Sequence, residues 1–89
     1  MEFEFDQEKS LSNKTKHGID FVETQIVWSD DDLIKLPSKY PDEERFLFIG
    51  MIDEKHYAVI ATYRGDCIRI ISARRARREE VEFYESGRA

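Results

Sequence analysis

The sequence predicts an α+β domain, an antiparallel β-sheet with two N-terminal helices and one C-terminal helix. Three observations predict it. The run Arg45–Ile52, RFLFIGMI, is apolar almost throughout, as a strand covered on both faces must be. Two further strand-like runs follow, His56–Tyr63 and Cys67–Ser72, joined by the short connections Asp53-Glu54-Lys55 and Arg64-Gly65-Asp66. On either side of this meander the apolar residues recur at helical spacing instead. Helices, then an antiparallel meander, then a helix give a layered domain with its helices on one face of the sheet.

Taken in order, Glu2-Phe3-Glu4-Phe5 alternates polar and apolar and predicts a short edge strand. Asp6 stands as an N-cap for a polar helix reaching about His17, with Gly18 as its left-handed stop. Leu11 is nearly its sole apolar residue, so the contact with the core is a narrow stripe. Asp20 and Glu23 have capping-box spacing and open a second helix, on which Phe21, Thr24, Val27 and Trp28 share a face. The run Ser29-Asp30-Asp31-Asp32 ends it. Leu33–Leu36 is a short strand, and Pro37–Glu44, holding two prolines and much charge, is a loop. The last element, about Ala73 to Ser86, is a helix stopping at Gly87. Ala73, Ala76, Glu80, Phe83 and Tyr84 share one face, and the arginines fan around the first two turns.

The 89 residues fit one domain, 1–89. With 40% hydrophobic residues, six Phe, four Tyr and one Trp, the chain has material for a core and is not a disordered segment. One cysteine, Cys67, excludes an internal disulfide, and its place in an apolar strand makes it a packing residue. MEFEFDQEK is no signal peptide, and no window approaches the roughly 20 apolar residues that span a bilayer. The expectation is a cytoplasmic protein without membrane contact.

Charge is unevenly spread. The chain is net −5, yet Arg64–Arg78 holds six Arg and one Asp, a local +5 against −10 elsewhere. Screening limits such fields to about 8–10 Å, so a basic stretch can bind a polyanion on an acidic molecule. Strand alternation sends Ile68 and Ile70 to one face and Arg69 to the other, the open face if the isoleucines enter the core. Guanidinium groups bind phosphate with paired hydrogen bonds. The same arginines can instead pair with Glu79, Glu80, Glu82 and Glu85. Four arginines crowded at a helix N-terminus are unfavourable as a purely structural device, which favours an anionic ligand.

Phe5-Asp6, Lys9, Asn13, Lys16-His17-Gly18-Ile19, Phe21 and Glu23 resemble the opening of the BrnT family. Glu44-Arg45 and Gly50 fit its middle. Arg69-Ile70-Ile71-Ser72-Ala73-Arg74-Arg75-Ala76, then Glu80 and Tyr84, fit its close. Phe5 stands where Trp is usual and Arg77 where Thr is common. The resemblance implies a RelE-like fold and the toxin of a type II toxin–antitoxin pair, acting as a metal-independent ribonuclease that inhibits translation. It implies a BrnA-like antitoxin partner, with operator DNA reached only through that partner.

Cleavage without metal uses the RNA's 2′-hydroxyl as nucleophile, so a proton must be removed, charge on phosphorus stabilised and the leaving oxygen protonated. Arg64 and Arg69 are candidates for the scissile phosphate. Lys16, Arg74, Arg75, Arg77 and Arg78 are candidates for the RNA backbone. His17, Glu80 and Tyr84 are candidates for proton transfer, His17 alone having an ordinary pKa near neutrality. His17 can equally serve as a C-terminal helix cap, Glu80 as an arginine tether and Tyr84 as core filling. His56 reads as a surface residue. Asp30–Asp32 and Asp42–Glu44 read as solvated loops, so no metal and no cofactor is expected. A non-catalytic interaction subunit that docks its arginines on an antitoxin is the competing reading.

Overall fold

The computed structural model describes residues 1–38 and 43–88. Its centre is the hairpin of β3 (Arg45–Ile52) and β4 (Lys55–Arg64), with β5 (Cys67–Arg75) on the far side of β4. β3 has the bounds its apolar run predicts. The connections are shorter than expected. Lys55 and Arg64 belong to β4, leaving two-residue turns, and Asp53 and Glu54 both take positive φ (48° and 66°) as a twisted hairpin requires.

Two strands complete the sheet in the order β1-β5-β4-β3-β2. β2 (Ile34–Ser38) pairs antiparallel with β3, and it takes in Pro37 and Ser38, where the sequence predicts a loop. Pro37 is tolerated there because β2 is an edge strand. The rest of that expected loop, residues 39–42, lies outside the described residues. β1 (Glu2–Glu4) is the edge strand its alternation predicts, but it runs parallel to β5, with Glu4 opposite Arg69. The sheet is therefore mixed, not purely antiparallel. Alternation specifies which face a side chain takes and carries no information on strand direction.

Helix α1 (Gln7–His17) is bracketed as predicted. Asp6 accepts from Lys9 N–H at 3.1 Å, and Gly18 closes the helix at φ 77°, a conformation that favours glycine. Its contact with the core is not the apolar stripe expected, because Leu11 faces solvent. The buried residues of α1 are Ser10 and Asn13. Ser10 accepts from Phe21 N–H at 2.9 Å. The Asn13 amide donates to the carbonyls of Ile19 and Ala73 (2.8 Å each) and accepts from Ala73 N–H at 3.3 Å. Beyond β1 the free edge of β5 is thus closed by a side-chain amide, which satisfies backbone groups as another strand would.

Asp20 and Glu23 form the predicted reciprocal cap, Glu23 N–H donating to Asp20 at 2.8 Å and Asp20 N–H to Glu23 at 2.9 Å. The cap leads into a 3-10 segment, Glu23–Ser29, tighter than the α-helix expected. This segment buries Thr24 and Val27, and Val27 packs on Gly50 of β3. A Cβ on Gly50 would stand 2.8 Å from Leu33 Cδ1 and 3.3 Å from the Val27 carbonyl oxygen. The core on this face joins Ile19, Phe21, Val27, Phe48, Val59, Ala61, Ile68, Ile70 and Ala73, flanked by Phe3, Phe5, Trp28 and Phe46.

The C-terminal third departs most from expectation. β5 continues to Arg75, and α2 (Arg78–Arg88) begins five residues later than predicted and runs past Gly87. Ala73 is a buried strand residue, and Phe83 is half exposed while Tyr84 is buried. The reason is a bulge. Ile70 opposes Ala61 and Ser72 opposes Ile60, so Ile71 is an extra residue and the alternation that ends at Ser72 resumes one step out of phase. α2 packs on the face opposite α1, where the ring edge of His56 meets Tyr84 (centroids 5.2 Å apart) and Arg88 Nη1 lies 3.8 Å from Met51 Sδ. The helices therefore cover both faces, not one.

Candidate functional site

β5 carries the basic stretch, and the sheet sorts its side chains. Ile68 and Ile70 are buried and Arg69 points to the other face, as strand parity predicts. Arg69 pairs with Glu4 of β1, Nη1 to Oε2 at 2.9 Å, and Arg64 Nη1 lies 3.6 Å from the same oxygen. Both arginines line a cleft of about 430 Å³ with Glu43, Glu44, Phe46, Thr62 and Tyr63. Thr62 is turned away from it in chemical terms, since its hydroxyl donates to the Glu44 carbonyl. Arg64 is 61% exposed and Arg69 32%, so both guanidinium groups can be reached from solvent.

The bulge returns Arg74 to the face that holds Arg69. Arg74 is held there by Glu80 with two parallel bonds of 2.8 and 3.0 Å, and Glu80 Oε1 also accepts from Arg77 N–H at 2.7 Å. Hydrogen bonding from Arg74 holds the Glu80 carboxyl below its ordinary range, against the opposing effect of burial, and the Arg77 amide adds to it. The same bonds raise Arg74 further. Arg75 takes the opposite face and lies over the Tyr57 ring, 5.7 Å from its centroid. Arg77 and Arg78 are exposed at the start of α2. The four arginines are thus divided among a strand's two faces and a helix start, and do not fan around two helical turns. Like-charge crowding at the helix N-terminus is correspondingly relieved.

Lys16 and His17, at the exposed end of α1, face a shallow groove with Lys9, Ser12, Asn13, Ile71 and Ser72. Tyr84 is 1% exposed, and its hydroxyl donates to Asp30 Oδ2 at 2.6 Å. Burial, reinforced by that bond, pushes the phenol up to about 12. Asp30 also accepts from Met51 N–H at 2.9 Å; burial opposes its ionisation, but the bonds from Tyr84 and the backbone outweigh this and lower it.

The ten candidate residues therefore fall into separate groups. Arg69 and Arg74 oppose Thr62 and Ala58, four residues apart on β4, roughly 13 Å. Tyr84 sits against His56, near the end of β4 remote from Arg64, roughly 26 Å along the strand. Two participants were missed in the sequence. Glu4 meets Arg69 across 65 positions, a separation with no local signature. His56 is half-buried and bonds Glu85 at 2.6 Å, which corrects its reading as a surface residue. Among the described residues no three His, Cys, Asp or Glu side chains are grouped as metal ligands, and no helix is long and apolar enough to cross a membrane.

Fold and site define a small α+β domain that gathers arginines along one strand of a mixed sheet and opens two of them to a cleft. The family model described as the ribonuclease toxin, BrnT, of type II toxin–antitoxin systems matches residues 5–80, and the protein belongs to that family. None of the curated proteins compared with the chain matches it.

Proposed function

We propose that this chain is the toxin of a type II toxin–antitoxin pair, a single unit over 1–89 with a RelE-like arrangement, which cleaves cytoplasmic RNA without a metal and so inhibits translation. The observation that carries the reading is the convergence of Arg64 and Arg69 on one anionic oxygen at the wall of an open cleft. Two guanidinium groups so placed suit a phosphate that gains negative charge as it is attacked. Arg74, Arg75, Arg77, Arg78 and Lys16 then serve the flanking backbone. His17 stands by its groove as a candidate for proton transfer. Glu80 orders Arg74, and Tyr84 anchors α2 through Asp30 at the end of the sheet remote from Arg64. The partner is a BrnA-like antitoxin, which binds operator DNA and covers the toxin.

Induced expression is expected to arrest growth, with Arg64→Ala or Arg69→Ala relieving the arrest. Purified protein is expected to degrade RNA equally with and without EDTA. Loss of cleavage in EDTA counts against the metal-independent reaction, and a harmless wild-type chain counts against the toxin.

A second reading, a non-catalytic subunit that binds the antitoxin and supports operator-bound autoregulation, draws on one observation. Glu80 and Tyr84 are both committed to structural bonds. It predicts tight antitoxin binding with RNA left intact.

A further inference from the structure

Glu4 is the acidic group that shares the Arg64–Arg69 site. Parallel pairing sets it directly beside Arg69, and the two oxygens of its carboxylate have different surroundings. Oε2 is fixed by Arg69 at 2.9 Å and approached by Arg64 at 3.6 Å. Oε1 carries no hydrogen bond among the described residues, and the side chain is 36% exposed. Glu80, the acidic residue beside Arg74, has both oxygens engaged. Glu4 thus presents an oriented carboxylate with a free oxygen, next to the two cations that would hold a phosphate. Arg64 and Arg69 line a cleft of about 430 Å³ with room for a nucleotide, and Glu4, which does not itself line it, borders it through these two arginines.

We propose that Glu4 is the proton acceptor of the cleavage reaction, an assignment that rests on the nuclease reading above. Arg64 and Arg69 hold the non-bridging oxygens of the scissile phosphate. The free Oε1 takes the proton of the 2′-hydroxyl as the 2′-oxygen forms its bond to phosphorus. The bond from phosphorus to the 5′-oxygen breaks, and its electron pair leaves with that oxygen. Water protonates the departing oxygen, since the cleft is open on the side of the exposed Arg64. The products are a 2′,3′-cyclic phosphate and a 5′-hydroxyl. Arg69 has a second role, holding Oε2 so that Oε1 faces the substrate.

The test is single-turnover cleavage of an RNA oligonucleotide by the full chain. Binding is measured separately on the same oligonucleotide with 2′-deoxy substitution at the cleaved position. Glu4→Gln is expected to slow cleavage by roughly 100-fold or more, the usual weight of a general base, while binding stays equal or tightens because a competing internal anion is gone. Glu4→Ala is expected to bind equally well and to regain at least about tenfold in rate when formate supplies the missing carboxylate. Glu4→Gln cleaving within about threefold of the parent, or Glu4→Ala unmoved by formate, overturns the assignment. A loss of rate explained wholly by weaker binding overturns it too. If the parent itself leaves RNA intact, the nuclease reading falls and takes the assignment with it.

Discussion

Glu80 holds Arg74 with both carboxylate oxygens, and with one of them also caps α2 through the Arg77 amide. The end of β5 and the start of α2 are therefore joined through a single side chain. Bonds to charged partners are worth about 1.5–3 kcal/mol each, with large context dependence, so Glu80→Gln is expected to cost about 2 kcal/mol at neutral pH. Its carboxyl is lowered in the folded state. The contribution is thus complete above the ordinary glutamate value of 4.5 and is lost as pH falls through the folded value. Urea unfolding of parent and variant between neutral pH and pH 3 should show the difference shrinking toward acid; a constant gap would refute the linkage.

Tyr84→Phe removes the bond to Asp30 and leaves the ring in place. The expected loss is about 1–2 kcal/mol at pH 7, with α2 loosened from the sheet. The phenol is raised from 10 to about 12 on folding, so its contribution is complete below pH 10 and fades as pH climbs toward 12. Alkaline melts of parent and variant should converge over that window. Ultraviolet titration of the folded parent should show one tyrosine resisting ionisation, a signal absent from Tyr84→Phe.

Asn13 is the hinge between α1 and the free edge of β5. Asn13→Ala strands two carbonyls and one amide and is expected to cost about 2–3 kcal/mol. Asn13→Asp should be worse, because a carboxylate cannot donate to the carbonyls of Ile19 and Ala73 and sets a charge against both. The reverse ranking in thermal melts would mean that α1 docks by some other contact.

Gly50→Ala tests the close approach of the 3-10 segment to β3. The new methyl meets the Val27 backbone as well as Leu33, and a backbone oxygen has little freedom to retreat. A loss of about 1–3 kcal/mol is expected, with Trp28 fluorescence shifted because the segment that carries it must move. A neutral substitution would show the segment free to slide.

The elements legible in the sequence are those whose signals are local. The α1 caps, the Asp20–Glu23 pair and the bounds of β3 each depend on residues within a few positions of one another. The bulge at Ile71 breaks that legibility. Ile68, Ile70 and Ala73 are all buried, a spacing that fits neither strand nor helix, so the pattern assigns Ala73–Arg75 to the helix. The docking of α1 is illegible because it is made by Ser10 and Asn13, which hydrophobic periodicity cannot register. In the site, alternation places Arg69 on the face away from the core. Glu4 escapes notice, because parallel pairing between chain ends leaves no trace in spacing.

The parallel pairing of β1 with β5 also bears on the order in which the chain folds. The β3–β4–β5 hairpins close through two-residue turns and need little loop entropy. Glu4 must wait for a partner 65 positions away, and Asn13 for one 60 away. Contacts of such separation form late, after a local nucleus has ordered. A chain emerging from the ribosome would hold Arg69 and Glu4 apart until nearly all of it had been made. The strands that line the cleft would then stand before Glu4 reaches Arg69, and the acidic partner of the two arginines would be the last part of the site to be set in place.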